Sequence, residues 1–263
     1  MNICLFSDQE ISKPLSLRDP RGEHIVKILH KKEGDSFSAG IIGGQAGKAT
    51  ITKISTFERK SPDGKKTFSD GEIEFTFTPE SDGKPLYPLE MIIGFPRPIQ
   101  LKRLLRDMAG LGVEAVHLCV TELGEKSYLK SDLATSDAGK IMLLEGSQQA
   151  ASTHVPKLSM HSSLSDSLKS AGIENKILLA LDNVNPSSDL FSHLADLKEK
   201  GLLNKDTKIL AAIGSERGWT ENERREMEEK GFIRLSMGKR VLRTETASTV
   251  AASLILAFMG FLD

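Results

Sequence analysis

Two hydrophobic rhythms divide the chain. Over residues 1–78 apolar positions come in short runs that alternate with polar ones: Asn2–Phe6, Ser36–Ile42, Lys48–Phe57 and Gly71–Thr78. Alternation with period two is the mark of a half-buried strand, whose successive side chains point to opposite faces. Gly43-Gly44 joins two of these runs, and Ser61-Pro-Asp-Gly64 reads as a loop. One helix is predicted over Gly22–Leu29, with a turn at Glu33-Gly34-Asp35 behind it. A small all-β barrel carrying a single helix is the expectation for residues 1–78. Residues 79–88 (PESDGKPLYP) hold three prolines and a glycine and read as a linker.

From residue 89 to 263 compact apolar runs alternate with helical spacing. Strands are predicted at Leu89–Gly94, Ala115–Val120, Lys176–Leu181, Thr207–Ile213 and Phe232–Leu235. Helices are predicted at Pro98–Gly110, Ser131–Ala150, Asp166–Ala171, Ser188–Lys200, Glu221–Lys230 (capped by Thr220) and Thr244–Phe261. Strands separated by helices imply an α/β fold with a parallel sheet covered on both faces.

Composition narrows the function classes. The chain of 263 residues is 39% hydrophobic and 27% charged with a net charge of −1, an ordinary globular balance with no global basic field. Any nucleic-acid surface must be local, such as Lys27/His30/Lys31/Lys32 or Arg97/Lys102/Arg103/Arg106, and a solvated helix face accounts for either on charge alone. Cys4 and Cys119 lie in apolar surroundings and read as reduced, buried thiols of a cytoplasmic protein. Six histidines show neither His-Glu-x-x-His spacing nor cysteine partners, so no metal is expected. No basic-then-apolar run marks a secretory signal. Thr246–Leu262 is too short for a membrane span and contains Ser248, Thr249 and Ser253, so a buried or interface helix of a soluble protein is expected.

Candidate chemistry gathers at two glycine turns behind predicted strands, the place where ligands sit in open α/β sheets. Gly214-Ser-Glu-Arg-Gly-Trp219 has neither dinucleotide nor phosphate-loop spacing, and a tight connection explains its glycines. A bare turn does not explain Glu216. Gly238-Lys-Arg-Val-Leu-Arg243 precedes the last helix, where Thr244 reads as the cap and Glu245 faces the positive helix end. Arg243 at that end calls for an anion nearby, and a phosphate fits. Asp182-Asn-Val-Asn-Pro186 is read first as a turn. Glu125-Lys-Ser-Tyr128 stays ambiguous, and Gln148, Gln149 and Thr153 before Pro156 are caps or base contacts. Trp219 and Phe95 are read as packing.

Taken together these segments resemble one family. Ile213–Trp219 (IGSERGW) is similar to I-G-P-E-G-G followed by Phe or Trp, and Leu235–Ala247 to L-G-x-R-I/V-L-R-x-E-T-A. His24–Leu29 with Lys31–Asp35, Leu111-Gly-Val113, Phe95–Pro98 and Glu145–Pro156 extend the resemblance upstream. Both motifs are those of the RsmE-type 16S ribosomal RNA uridine-N3 methyltransferases of the SPOUT class. The resemblance implies a PUA-like RNA-binding barrel and a SPOUT domain with a deep trefoil knot, an exception to unknotted folding. It further implies S-adenosylmethionine as cofactor, 16S ribosomal RNA or the small subunit as partner, and a homodimer.

Carried over by motif, cofactor contacts fall on Leu181, Ile213, Gly214, Ser215, Glu216, Gly218, Leu235, Ser236, Met237, Gly238, Val241 and Leu242. Catalytic roles fall on Arg243, Glu245 and Glu216, and RNA contacts on Lys27, His30, Lys31, Arg97, Gln149, Thr153 and Arg240. The chain departs from the motif at Ser215 and Lys239, where the family has proline, and at Arg217, where it has glycine. His30, Ala151 and His154 stand where arginines are frequent. An arginine held at positive φ would lose on the order of 1 kcal/mol. Two alternatives follow: an RNA-binding assembly protein of this fold without turnover, or a methyltransferase acting on another RNA.

Overall fold

The computed structural model describes residues 2–60, 67–130 and 137–262. It divides into two compact units, Met1–Pro85 with Gln148–His154, and Leu86–Ser147 with Val155–Asp263.

The first unit is a five-stranded sheet in the order β1-β3-β4-β5-β2. β1 is Cys4–Phe6, β2 Leu15–Ser16, β3 Ser36–Ile41, β4 Ala46–Lys60 and β5 Thr67–Ser81. β1 runs parallel to β3 and the other pairs are antiparallel. The last two strands outrun their sequence patterns: β5 continues to Ser81, into the stretch read as linker, and the Ser61–Gly64 loop lies outside the described residues. Helix α1 (Pro20–Glu23) starts where Asp19 accepts the Arg21 N–H, with proline at its first position. Phe6, Ile25, Phe37, Ile51 and Ile73 fill the core.

The second unit is a seven-stranded sheet, parallel at every pairing, in the order β10-β12-β9-β11-β6-β7-β8. Its strands are β6 (Tyr87–Gly94), β7 (Val113–Cys119), β8 (Lys157–His161), β9 (Ile177–Leu181), β10 (Ser188–Asp189), β11 (Ile209–Ile213) and β12 (Ile233–Ser236). The helices are α2 (Pro98–Leu111), α3 (Ala138–Gln149), α4 (Leu164–Ala171), α5 (Leu190–Glu199), α6 (Glu221–Glu229) and α7 (Thr244–Met259). The predicted helix Ser131–Ala150 is thus described from Ala138, and residues 131–136 lie outside the described residues.

Both faces of the central strands are buried, so β9 and β11 read as unbroken apolar runs. Leu179, Leu181, Ala211 and Ile213 face α2, α5 and α7, while Leu178, Ala180, Leu210 and Ala212 face α4 and α6. Polar groups on the second face are paired: Glu90 meets His117 at 3.2 Å and also takes a bond from Lys176. Cys4 and Cys119 are buried, and burial pushes their thiols up to about 11 and about 12. Among the described residues no helix is long and apolar enough to cross a membrane.

Candidate functional site

In the order β12-β9-β11 three neighbouring strands end together, and their following loops enclose a cavity of about 280 Å³. Asp182–Val184 comes from β9, Gly214–Trp219 from β11, and Met237 with Arg240–Leu242 from β12. Parallel strands place all their carboxyl ends on one edge, so loops distant in sequence meet there.

The turn after β11 is tightly held. Gly94, ending β6, lies beneath it: a Cβ there would stand 2.7 Å from the Gly214 carbonyl carbon and collide with Ser215 N. Thr121 donates its hydroxyl to Ser215 Oγ at 2.9 Å in a buried contact. Gly218 N–H returns to Ser215 O at 2.8 Å, and Thr244 Oγ1 donates to Gly214 O at 3.3 Å. The left-handed conformation falls on Gly218 (φ 74°), and Arg217 is not among the residues of positive φ. Arginine is therefore accommodated without backbone strain, which removes one ground for the assembly-only alternative. Beyond the turn Thr220 and Glu223 cap α6 reciprocally, and the second oxygen of Glu223 accepts the Glu122 N–H at 2.9 Å.

Charge is arranged around this frame. Asp182 and Arg224 pair at 2.6 Å, both side chains largely buried, and Asp182 also accepts the Val184 N–H. Glu216 lines three cavities: the first, a second of about 290 Å³ with Arg97, Gln100, Arg243 and Glu245, and a third of about 130 Å³ with Tyr128 and Leu123. Arg97 meets Glu216 at 3.2 Å. Its guanidinium is held above its usual range, first by a hydrogen bond to Tyr128 and then by the Glu216 charge.

Arg243, not Thr244, is the N-cap of α7, and its side chain makes no capping bond. The Thr244 hydroxyl is turned to Gly214 instead. Glu245 lies buried in the first helical turn, and neither it nor Arg243 forms an ion pair among the described residues.

The structure brings nine of the twelve expected cofactor residues to the first cavity: Leu181, Ile213, Gly214, Ser215, Glu216, Gly218, Met237, Val241 and Leu242. Three do not line it. Leu235 is buried in the core with its carbonyl bonded to Asp182 N, Ser236 pairs with Asp189 in the sheet, and Gly238 is an exposed turn glycine at φ 97°. Arg240, expected to touch RNA, lines this cavity too. Arg97 belongs to the second and third cavities.

The remaining RNA candidates lie in the first unit. Lys27 is exposed and paired with Glu23 at 2.7 Å, and His30 and Gln149 are exposed. Lys31 is half-buried, with its N–H bonded to Ile25 O. Thr153 is a correction: it is fully buried and donates to Gly44 O at 2.6 Å, so it pins two chain segments together rather than facing solvent.

Sequence reasoning missed Gly94, Thr121 and Arg224 and left Asp182 as a turn former; Trp219, read as packing, is buried in the core and also lines the cavity. A strand-ending glycine before Phe95 was the available signal for the first, and the position after an unbroken apolar strand was the signal for Asp182. Among the described residues no group of histidine, cysteine, aspartate and glutamate side chains could hold a metal ion.

A family model described as an RNA methyltransferase domain matches residues 82–256. The chain is 38% identical to ribosomal RNA small subunit methyltransferase E of Treponema pallidum, covering 98% of this chain and 91% of that protein. It is 33% identical to ribosomal RNA small subunit methyltransferase E 1 of Borreliella burgdorferi, covering 98% of each. A crystal structure of a ribosomal RNA small subunit methyltransferase E from Neisseria gonorrhoeae bound to S-adenosyl methionine superposes with a TM-score of 0.72. It is 20% identical, covers 100% of both chains, and is a likeness of fold.

Proposed function

The chain belongs to the ribosomal RNA small subunit methyltransferase E family, and from that premise we propose that it methylates N3 of a uridine in 16S ribosomal RNA with S-adenosylmethionine as donor. One observation carries this reading. Glu216, Val241 and Leu242 form a wall common to the strand-end cavity and to the compartment of Arg97, Gln100, Arg243 and Glu245. Residues that border both compartments set them side by side, so that a donor in one and an acceptor base in the other would meet across the shared edge.

The residues of the first cavity fit an adenosyl sulfonium. Leu181, Ile213 and Ala247 offer apolar surface to a flat base. Trp219 Nε1 is buried without a partner among the described residues, a donor awaiting an acceptor. Asp182 and Glu216 line the cavity as well, each paired with an arginine, Arg224 and Arg97, so they give it a polar edge rather than free charge. Bound there, the cofactor supplies an electrophilic methyl group on positively charged sulfur.

The uridine imide must shed its N3 proton to become nucleophilic. Glu245 is the proposed acceptor, because Glu216 is already engaged by Arg97. Arg243, two residues before it and lining the same compartment, is proposed to hold the negative charge that spreads onto the base oxygens. Arg97 and Arg240 are assigned to the neighbouring phosphates.

A base in folded RNA must leave its stack to enter a compartment of this size. The first unit, as a PUA-like barrel, is the proposed holder of that RNA through Lys27, His30 and Lys31. A trefoil knot in the second unit, a homodimer that covers the apolar helix α7, and a cytoplasmic setting complete the reading.

Calorimetry with S-adenosylmethionine and mass mapping of 16S ribosomal RNA from cells with and without the gene test it. Binding heat and the disappearance of a single N3-methyluridine are expected. An unchanged N3-methyl signal would reject the substrate assignment.

A further inference from the structure

The first unit carries an exposed apolar tip set among cations. Helix α1 runs on into a wide turn, His24–Ile28, whose closing bonds span more than an α-helical turn: Leu29 N–H reaches His24 O at 2.9 Å and Lys31 N–H reaches Ile25 O at 3.1 Å. His30 ends it in the left-handed region at φ 52°, a conformation that non-glycine residues seldom keep without a reason. This winding buries Ile25 completely and leaves Ile28 63% and Leu29 41% exposed.

The charges around the pair are sorted. Glu33 is turned back to accept the Ile54 N–H at 2.8 Å, Asp35 accepts the Lys32 N–H at 2.8 Å, and Glu23 pairs with Lys27. His30, Lys31 and Lys32 form no ion pair among the described residues. An apolar knuckle beside two unpaired lysines and an exposed histidine matches a partner that is anionic along its backbone and apolar on its faces. Single-stranded or unstacked RNA has that character, with phosphates for the cations and base faces for the aliphatic side chains.

We infer that Ile28 and Leu29 form a wedge that packs against an unstacked base of the substrate RNA, while His30, Lys31 and Lys32 hold the flanking phosphates. The inference rests on the RNA-acting reading above and adds to it the element that opens the RNA.

The buried, high-pKa thiols of Cys4 and Cys119 make a clean experiment available, because a maleimide benzophenone placed on Ile28→Cys labels position 28 alone. Irradiated with small ribosomal subunits, the labelled protein is expected to cross-link to RNA, and an adduct confined to ribosomal protein overturns the wedge. The double variant Ile28→Ser, Leu29→Ser is expected to bind subunits about tenfold more weakly with an unchanged salt slope. Lys31→Ala, Lys32→Ala is expected to flatten that slope by roughly one to two, the signature of lost phosphate contacts. Wild-type affinity in the serine double variant refutes the inference. Calorimetry with S-adenosylmethionine on each variant reports the intact second unit. Wild-type protein that binds neither donor nor subunits would reject the functional reading itself, a result distinct from failure of the wedge.

Discussion

The turn after β11 and the loop after β12 face one cavity and are built in opposite ways. The turn buries Gly214, Ser215 and Trp219 beneath an exposed tip at Glu216 and Arg217, and is tied by bonds from Thr121, Gly218 and Thr244. The loop holds Lys239, Arg240 and Arg243 in solvent and leaves Val241 88% exposed. A segment tied by its own chain has its geometry set by those bonds, whereas the loop presents its side chains to solvent. The turn is a floor held by its own chain; the loop is an exposed wall.

Substitutions can break or sharpen that contrast. Gly94→Ala pushes a methyl into the backbone of the floor and is expected to remove about 3 kcal/mol of stability, lowering the melting temperature by roughly 6–10 °C. A wild-type melting curve would mean that the floor is not set by this approach. Arg243→Ala acts on the wall: kcat is expected to fall about 100-fold in steady-state kinetics while stability stays within about 0.5 kcal/mol. A large fall in melting temperature would give Arg243 a structural role.

Thr121→Val removes a buried hydroxyl donor from Ser215 and is expected to destabilise by about 1 kcal/mol in a denaturant titration. No change would show that Ser215 finds an equal partner elsewhere. Val241→Ser is expected to leave the melting curve alone and weaken donor binding about fourfold by calorimetry. Equal affinity would place Val241 outside the contact.

The sheet was legible because its inner strands are uninterrupted apolar runs, ILLAL in β9 and ILAAI in β11. β8 was not, since it sits at the sheet edge beside β7 alone and mixes Lys157, Ser159 and an exposed Met160. β10 is only two residues long, and its strand character lies in its pairing with Leu235 and Ser236. At the site, the glycine turns announced themselves through residue type. Arg224 did not, because its relevance depends on where α6 begins over the sheet. Thr153 misled for a related reason: its partner Gly44 is 109 residues away, and a hydroxyl shows no preference in sequence between a carbonyl and a base.

The strand order also sets a timetable. β9 is flanked by β11 and β12, both made after it, and the wall of the cavity arrives with residues 237–247. While the polypeptide is being synthesised, the remainder of this sheet can collapse before the cavity is closed. If this cavity holds the methyl donor as proposed, a chain released before residue 237 would lack one wall of the site.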